Sequence, residues 1–232
     1  MNMAVDKLKL SQSQINWARS EICKHDENLA KSYLGLMRFL SANPEFIGKF
    51  RGNNPPQFGT LEYFVKTAEM FAIGRTISPP VNSGKTSDPL LGSLFQQLKS
   101  CTFSEVENAV RIHGDFMVLE NKVGKILEHY LSARLEPLGW IWCSGDFVEK
   151  VDFVKIVSGK NHKLLQVKNK DVTENSSSAK GRGDVPKWAR LKGKKAVADW
   201  QNFPDLEARS LISEADFLEY GKSIGHDWLN SN

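Results

Sequence analysis

Lys150-Val-Asp-Phe-Val-Lys-Ile-Val157 and, after the turn cluster Ser158-Gly-Lys-Asn161, His162-Lys-Leu-Leu-Gln-Val-Lys168 decide the fold. Both runs are rich in β-branched and large apolar residues, and about four turn formers separate them, which is the pattern of a β-hairpin. Side chains alternate across a strand, so Gln166 and Lys168 share one face of the second strand. Leu165 and Val167, with Val151 of the first strand, face the other way, toward a core. Asp152, expected inside the first strand, can meet Gln166 and Lys168 across the hairpin.

Upstream, apolar residues recur with helical spacing from Ser104 to Leu135, with Phe116, Val123, Leu127 and Leu131 on one face. Glu120 falls on or beside that face, where an acid is costly without a metal or a cation as partner. Glu128 lies on the same side and is the weaker candidate. Gly124, one turn after Glu120, would allow close approach to another backbone. Earlier still, Ser11 or Ser13 caps a helix through Glu21, a second helix spans Glu27 to Leu40, and Thr60 caps a third that runs to Ile73. Leu61, Phe64, Val65 and Ala68 would form the apolar side of that third helix. Pro89 to Leu98 reads as a further helix, Trp140-Ile-Trp142 as a short strand, and Ser213 as the start of the last helix, with Asp216 completing a loose capping box.

The outline is a mostly helical region over residues 1–103 and, over 104–232, a helix, a hairpin, a basic irregular segment and closing helices. The two parts read as one continuous structural unit. The first serves in dimerisation or DNA contact; the second carries the chemistry.

Composition is that of an ordinary globular chain: 41% hydrophobic and 25% charged over 232 residues. No apolar run approaches the roughly 18–20 residues that span a bilayer, and the N-terminus lacks a secretory pattern. Three widely spaced cysteines, with no CxxC or HExxH spacing, fit reduced cytoplasmic thiols and argue against a zinc site. The net charge of +4 says little, but its distribution says more. Lys180, Arg182, Lys187, Arg190, Lys192, Lys194 and Lys195 crowd one segment with Asp184 as the single acid and Trp188 embedded, a composition suited to a polyanion.

A strand Asp, an oxygen ligand and a Lys two residues further suit phosphodiester hydrolysis. Oxygen donors hold a hard divalent cation that neutralises phosphate charge, and the lysine positions or deprotonates the water. Taken alone, the same residues also fit an edge-strand acid paired with Lys150 or Lys168, and an exposed strand lysine.

With Glu120-x-x-x-Gly124 in a helix, Asp152 in a strand and Gln166-x-Lys168 in the next, the chain resembles the PD-(D/E)xK nuclease superfamily. The run Leu164-Leu-Gln-Val-Lys-Asn-Lys-Asp-Val-Thr-Glu-Asn-Ser-Ser-Ser178, with Pro186-Lys-Trp188 and Asp199-Trp200, is similar to the SinI/AvaII type of type II restriction endonuclease. The resemblance covers roughly Phe116 to Phe203. It implies an α/β (α+β) restriction-endonuclease-like core, a mixed sheet flanked by helices, beside a mostly helical N-terminal region. It also implies Mg2+-dependent cutting of double-stranded DNA at a short near-palindromic site of the GGWCC kind, a homodimer, and a DNA methyltransferase as functional partner rather than complex. By the same resemblance Asp152, Gln166 and Glu120 hold the metal and Lys168 is the catalytic lysine. Two positions depart from the motif: Lys150-Val151 stands where a proline is nominal, and Gln166 replaces an acid. A four-stranded core is also expected, and only two or three strands are legible here.

The segment after Lys168 is expected to touch DNA. Asn169, Lys170, Asn175, Ser176, Ser177, Ser178, Lys180 and Lys187 suit phosphate or base-edge contacts, and Arg182 and Arg190 suit guanine. The alternatives are a nucleic-acid-binding protein without catalysis, and a repair or junction-resolving nuclease of the same fold.

Overall fold

The structure, a computed structural model, describes residues 9–52, 54–80, 89–157, 161–171 and 185–230. Helices α1 (Gln12–Cys23), α2 (Ala30–Ala42) and α3 (Leu61–Ile73) come first, then α4 (Pro89–Lys99) and α5 (Phe103–Leu135). Strands β1 (Trp140–Trp142), β2 (Phe153–Lys155), β3 (Lys163–Lys170), β4 (Lys187–Lys192) and β5 (Val197–Ala198) follow, and α6 (Leu206–Arg209) and α7 (Glu214–Asn230) close the chain.

Local chemistry explains the helix starts. Ser11 caps α1 in a capping box with Gln14, Thr60 caps α3, and Thr102 forms a capping box with Glu105 at the head of α5. Asp216 N–H donates to Ser213 Oγ at 3.1 Å, the contact expected at the start of the last helix.

The sheet is mixed and runs β1-β2-β3-β4-β5 in order. β1–β2, β2–β3 and β4–β5 are antiparallel; β3–β4 is parallel, with Gln166 opposite Lys187 and Lys168 opposite Ala189. The sequence hides β4. Its six residues, KWARLK, read as part of a basic irregular segment, yet Trp188 and Arg190 turn inward and only the lysines face out.

Both faces of the sheet are covered, and strand alternation divides the apolar residues between them. Ile141, Val154 and Leu164 meet α1, α2 and α3, whose Ile22, Tyr33, Leu36, Met37, Phe64 and Phe71 fill one core. Trp140, Trp142, Phe153, Leu165 and Val167 meet Leu127, Tyr130 and Leu131 of α5 and the aromatic group Trp188, Trp200, Phe203 and Phe217 in the other. Val151 belongs to the first core, not to the face of Leu165 and Val167 as its alternation suggested. The buried side of α3 is Tyr63, Phe64, Thr67, Ala68 and Phe71, whereas Leu61 and Val65 face out. At the end of α3, Gly74 approaches Gly145 so closely that a Cβ would stand 2.5 Å from its backbone nitrogen. Arg75 then reaches Glu136 with two hydrogen bonds, of 3.0 and 2.7 Å, and the Trp142 carbonyl at 3.2 Å. That fork fastens the helical region to the corner between α5 and β1.

Helix α5 is buried only in its second half. Phe116 is 67% exposed, and Phe103, Ile112 and Leu119 also face outward. Gly124 makes no close backbone approach; a Cβ there would have nothing within 4 Å. Among the described residues no helix is long and apolar enough to cross a membrane.

Phe64 and Phe153 are each fully buried, one in each core. Truncating either to alanine is expected to lower stability by about 3–5 kcal/mol, read from urea unfolding. A Phe64→Ala midpoint equal to wild type would mean that the helical core contributes nothing to the fold of the sheet.

Candidate active site

Asp152 lies not within β2 but in the bend just before it. Two residues earlier Lys150 adopts φ +70°, a left-handed conformation that a non-glycine residue holds at a cost of order 1–3 kcal/mol. The kink turns the chain from the loop into the sheet. Val151 anchors it in the first core, in the place where the motif has its proline. From there Asp152 is tied to both neighbouring strands: its N–H donates to Leu165 O at 3.0 Å and its carbonyl accepts from Cys143 N–H at 2.9 Å. Its carboxylate Oδ2 accepts from Val167 N–H at 2.7 Å. The acid is thereby fixed beside the residue that separates Gln166 from Lys168.

Gln166 is 6% exposed, and its Oε1 is buried with no hydrogen-bond partner among the described residues. A buried amide oxygen without a donor is rare and costly, and a cation would satisfy it. Lys168 is exposed at the surface of β3, with no side-chain hydrogen bond or ion pair among the described residues.

Of the α5 acids, Glu128 is the one that feels the charge of Asp152. Burial raises the Glu128 carboxyl above its usual range, and the charge of Asp152 raises it further. The same two acids, after burial itself, help to push the enclosed Cys143 thiol up. Glu128 Oε2 accepts from Trp142 Nε1 at 3.1 Å, and Lys125 Nζ stands 3.7 Å from it. Glu120, the acid expected from the sequence, lies eight residues earlier, about 12 Å along the helix axis at 1.5 Å per residue. There its Oε1 receives Lys170 Nζ at 2.6 Å, with both side chains nearly half exposed. It is not on a buried face, because α5 has not yet reached the core at that turn. The signal for Glu128 was present in the sequence: Ile126, Leu127, Tyr130 and Leu131 surround it, and all four are buried.

Asp152 and Glu128 supply two carboxylates that feel each other's charge, and Gln166, next in sequence to the N–H that holds Asp152, supplies a carbonyl with no hydrogen-bond partner among the described residues. No three His, Cys, Asp or Glu side chains converge on a metal site among the described residues. A cation here would therefore draw on the amide oxygen as well as on the two acids. A hard divalent ion fits that donor chemistry, and a soft, nitrogen- or sulfur-seeking one does not.

Of the residues expected to touch DNA, Asn175, Ser176, Ser177, Ser178, Lys180 and Arg182 lie outside the described residues. Lys187 is exposed at the start of β4, opposite Gln166. Lys170 is exposed and paired with Glu120. Arg190 does not face outward: it is 7% exposed and bonded to Asn169 and Glu214, so it is not presented to a guanine.

Comparison with known proteins bears on the chain as a whole. The model of the SinI restriction endonuclease family matches residues 14–225. The chain is 33% identical to the type II restriction enzyme Eco47I of Escherichia coli, over 89% of its own length and 91% of that enzyme. It is equally similar, at 33% identity and with the same coverage, to the type II restriction enzyme SinI of Salmonella infantis. A mixed sheet flanked by helices and a family match over nearly the whole chain lead to one conclusion: the chain belongs to the SinI restriction endonuclease family and is a site-specific deoxyribonuclease.

Proposed function

We propose that the chain hydrolyses double-stranded DNA in a magnesium-dependent reaction centred on Asp152, Glu128, Gln166 and Lys168, at a short near-palindromic site of the GGWCC kind. The observation that carries the site is the orphaned Gln166 Oε1, buried on the strand that also holds Asp152 by its Val167 N–H. Support for type II cutting comes from the 33% identity to two type II enzymes; the GGWCC kind follows the resemblance of the run over residues 164–178.

In this reading Asp152, Glu128 and Gln166 hold the ion, with Glu128 taking the role first expected of Glu120. Magnesium bound there would supply charge neutralisation on the phosphate and a more acidic water. Asp152 is oriented for the task because Val167 N–H fixes one of its oxygens. Lys168 extends from the same strand toward the phosphate, where its ammonium group orients the attacking water and stabilises charge that develops on phosphate oxygens. The exposed Lys187 and Lys170 add phosphate contacts beside it. A DNA methyltransferase of matching specificity is the expected functional partner, since unprotected host DNA would otherwise be cut.

We also take the working unit to be a homodimer, because a two-fold pair of sites matches the two strands of a near-palindrome. In support, α4 and the first half of α5 leave Leu90, Leu94, Leu98, Phe103 and Phe116 exposed, an apolar surface of the kind partners cover.

Cleavage of plasmid DNA with one GGWCC site is the direct test: cutting at that site with magnesium, and none with EDTA, is expected. Asp152→Ala, Lys168→Ala and Glu128→Gln should each lower the single-turnover rate by about a hundredfold or more. Glu120→Gln should lower it far less. Equal losses in the two glutamate variants would return Glu120 to the site.

Gln166→Glu adds a negative charge to the donor set. Half-maximal cleavage should then occur at a different magnesium concentration, and a superimposable titration would remove Gln166 from the metal.

Sedimentation velocity is expected to give a dimer, with or without a cognate duplex. Leu94→Glu with Leu98→Glu should yield a monomer; a wild-type monomer that breaks both strands in one encounter would refute the assembly.

A further inference from the structure

Asn169 follows Lys168 directly on β3 and points to the opposite face of the strand. Its side-chain oxygen accepts from Arg190 Nε at 2.9 Å. Arg190 is buried and doubly held: Nη1 donates to Glu214 Oε1 at 2.6 Å, and the guanidinium lies 4.7 Å over the Phe217 ring. The second Glu214 oxygen, Oε2, accepts from Trp200 Nε1 at 2.8 Å. Indole, carboxylate, guanidinium and amide thus form one chain of hydrogen bonds that ends at Asn169.

The chemistry of that chain fixes which way the amide faces. A guanidinium has donors and no acceptor, so Asn169 must offer it the oxygen. The NH2 group is then turned away from Arg190, and it has no hydrogen-bond partner among the described residues. Two donor hydrogens of settled direction therefore stand one residue from Lys168 and one from Lys170. DNA phosphates are the densest acceptors that such a place can meet. Reading a base edge requires projection into a groove, and a short side chain within a paired strand does not project far.

We propose that Asn169 donates its amide NH2 to a DNA phosphate oxygen on the side of β3 away from Lys168, and that Arg190, Glu214 and Trp200 hold the amide in that orientation. The inference rests on the nuclease reading above and adds to it a second phosphate anchor and an inward role for Arg190.

Asn169→Asp separates this role from a structural one. The carboxylate still accepts from Arg190, so the thermal midpoint should match or exceed that of wild type. The outward donor becomes an acceptor, so affinity for duplex DNA should fall about tenfold or more, given the strength of hydrogen bonds to charged groups. Fluorescence anisotropy with calcium in place of magnesium would read it on a GGWCC duplex and on one of unrelated sequence. Both should weaken by the same factor. Arg190→Lys, which keeps the charge and loses the planar fork, should weaken binding in the same uniform way.

Wild-type affinity in Asn169→Asp would show that Asn169 serves only Arg190 and would overturn the proposal. A loss confined to the GGWCC duplex would overturn the phosphate assignment in favour of a base contact. Either result would leave wild-type cleavage, measured in parallel, standing. A wild-type chain that binds no duplex would remove this inference and the nuclease reading together.

Discussion

One charge-assisted hydrogen bond holds the parts of the candidate active site in register: Val167 N–H to Asp152 Oδ2, at 2.7 Å. Asp152 precedes β2 by one residue and has no regular strand geometry of its own to orient it. The bond transfers that job to β3, the strand that presents Gln166 and Lys168. Bonds of this kind are shorter and about twice as strong as neutral ones. The geometry therefore survives even though the acid sits in a bend after a residue with positive φ. The acid is at once a reactive group and a piece of the hairpin. A longer carboxylate would move its oxygen away from that N–H, and an uncharged side chain would weaken the tie.

Around this bond the fold builds rigidity from two sides. The sheet has a core on each face, one filled by α1–α3 and one by α5 and the C-terminal aromatic group. The N-terminal helices thus back the sheet directly, and Arg75 ties them to Glu136 before β1 and to the Trp142 carbonyl at its end. Trp142 in turn donates to Glu128. A continuous set of contacts therefore runs from the end of α3 to the helix acid of the site.

The hairpin was legible in the sequence because alternation and turn chemistry are local properties, and Asp152, Gln166 and Lys168 came with it. Capped helices were legible for the same reason. What escaped depends on distance along the chain. β4 looked irregular because Arg190 breaks the apolar pattern, and its buried charge is balanced by Glu214, which no local window contains. The choice between Glu120 and Glu128 turns on a different ground. Periodicity gives the angle of a residue around a helix but not the height at which the helix meets the sheet. That height is set by packing: Phe116 is exposed, whereas Ile126 and Leu127 are buried.

Helix α5 is 33 residues long, so it extends about 50 Å at 1.5 Å per residue. Its far half carries the exposed apolar residues, and its near half carries Glu128, part-buried beside the core. A hydrogen-bonded rod of this length curves but does not shorten. Contact with the far half is therefore transmitted to the acid as tilt or rotation instead of being absorbed on the way. Mechanically the helix is a lever whose short arm carries Glu128. If a partner grips the outer arm, as proposed, its pull would reach the Glu128 carboxylate through this one element.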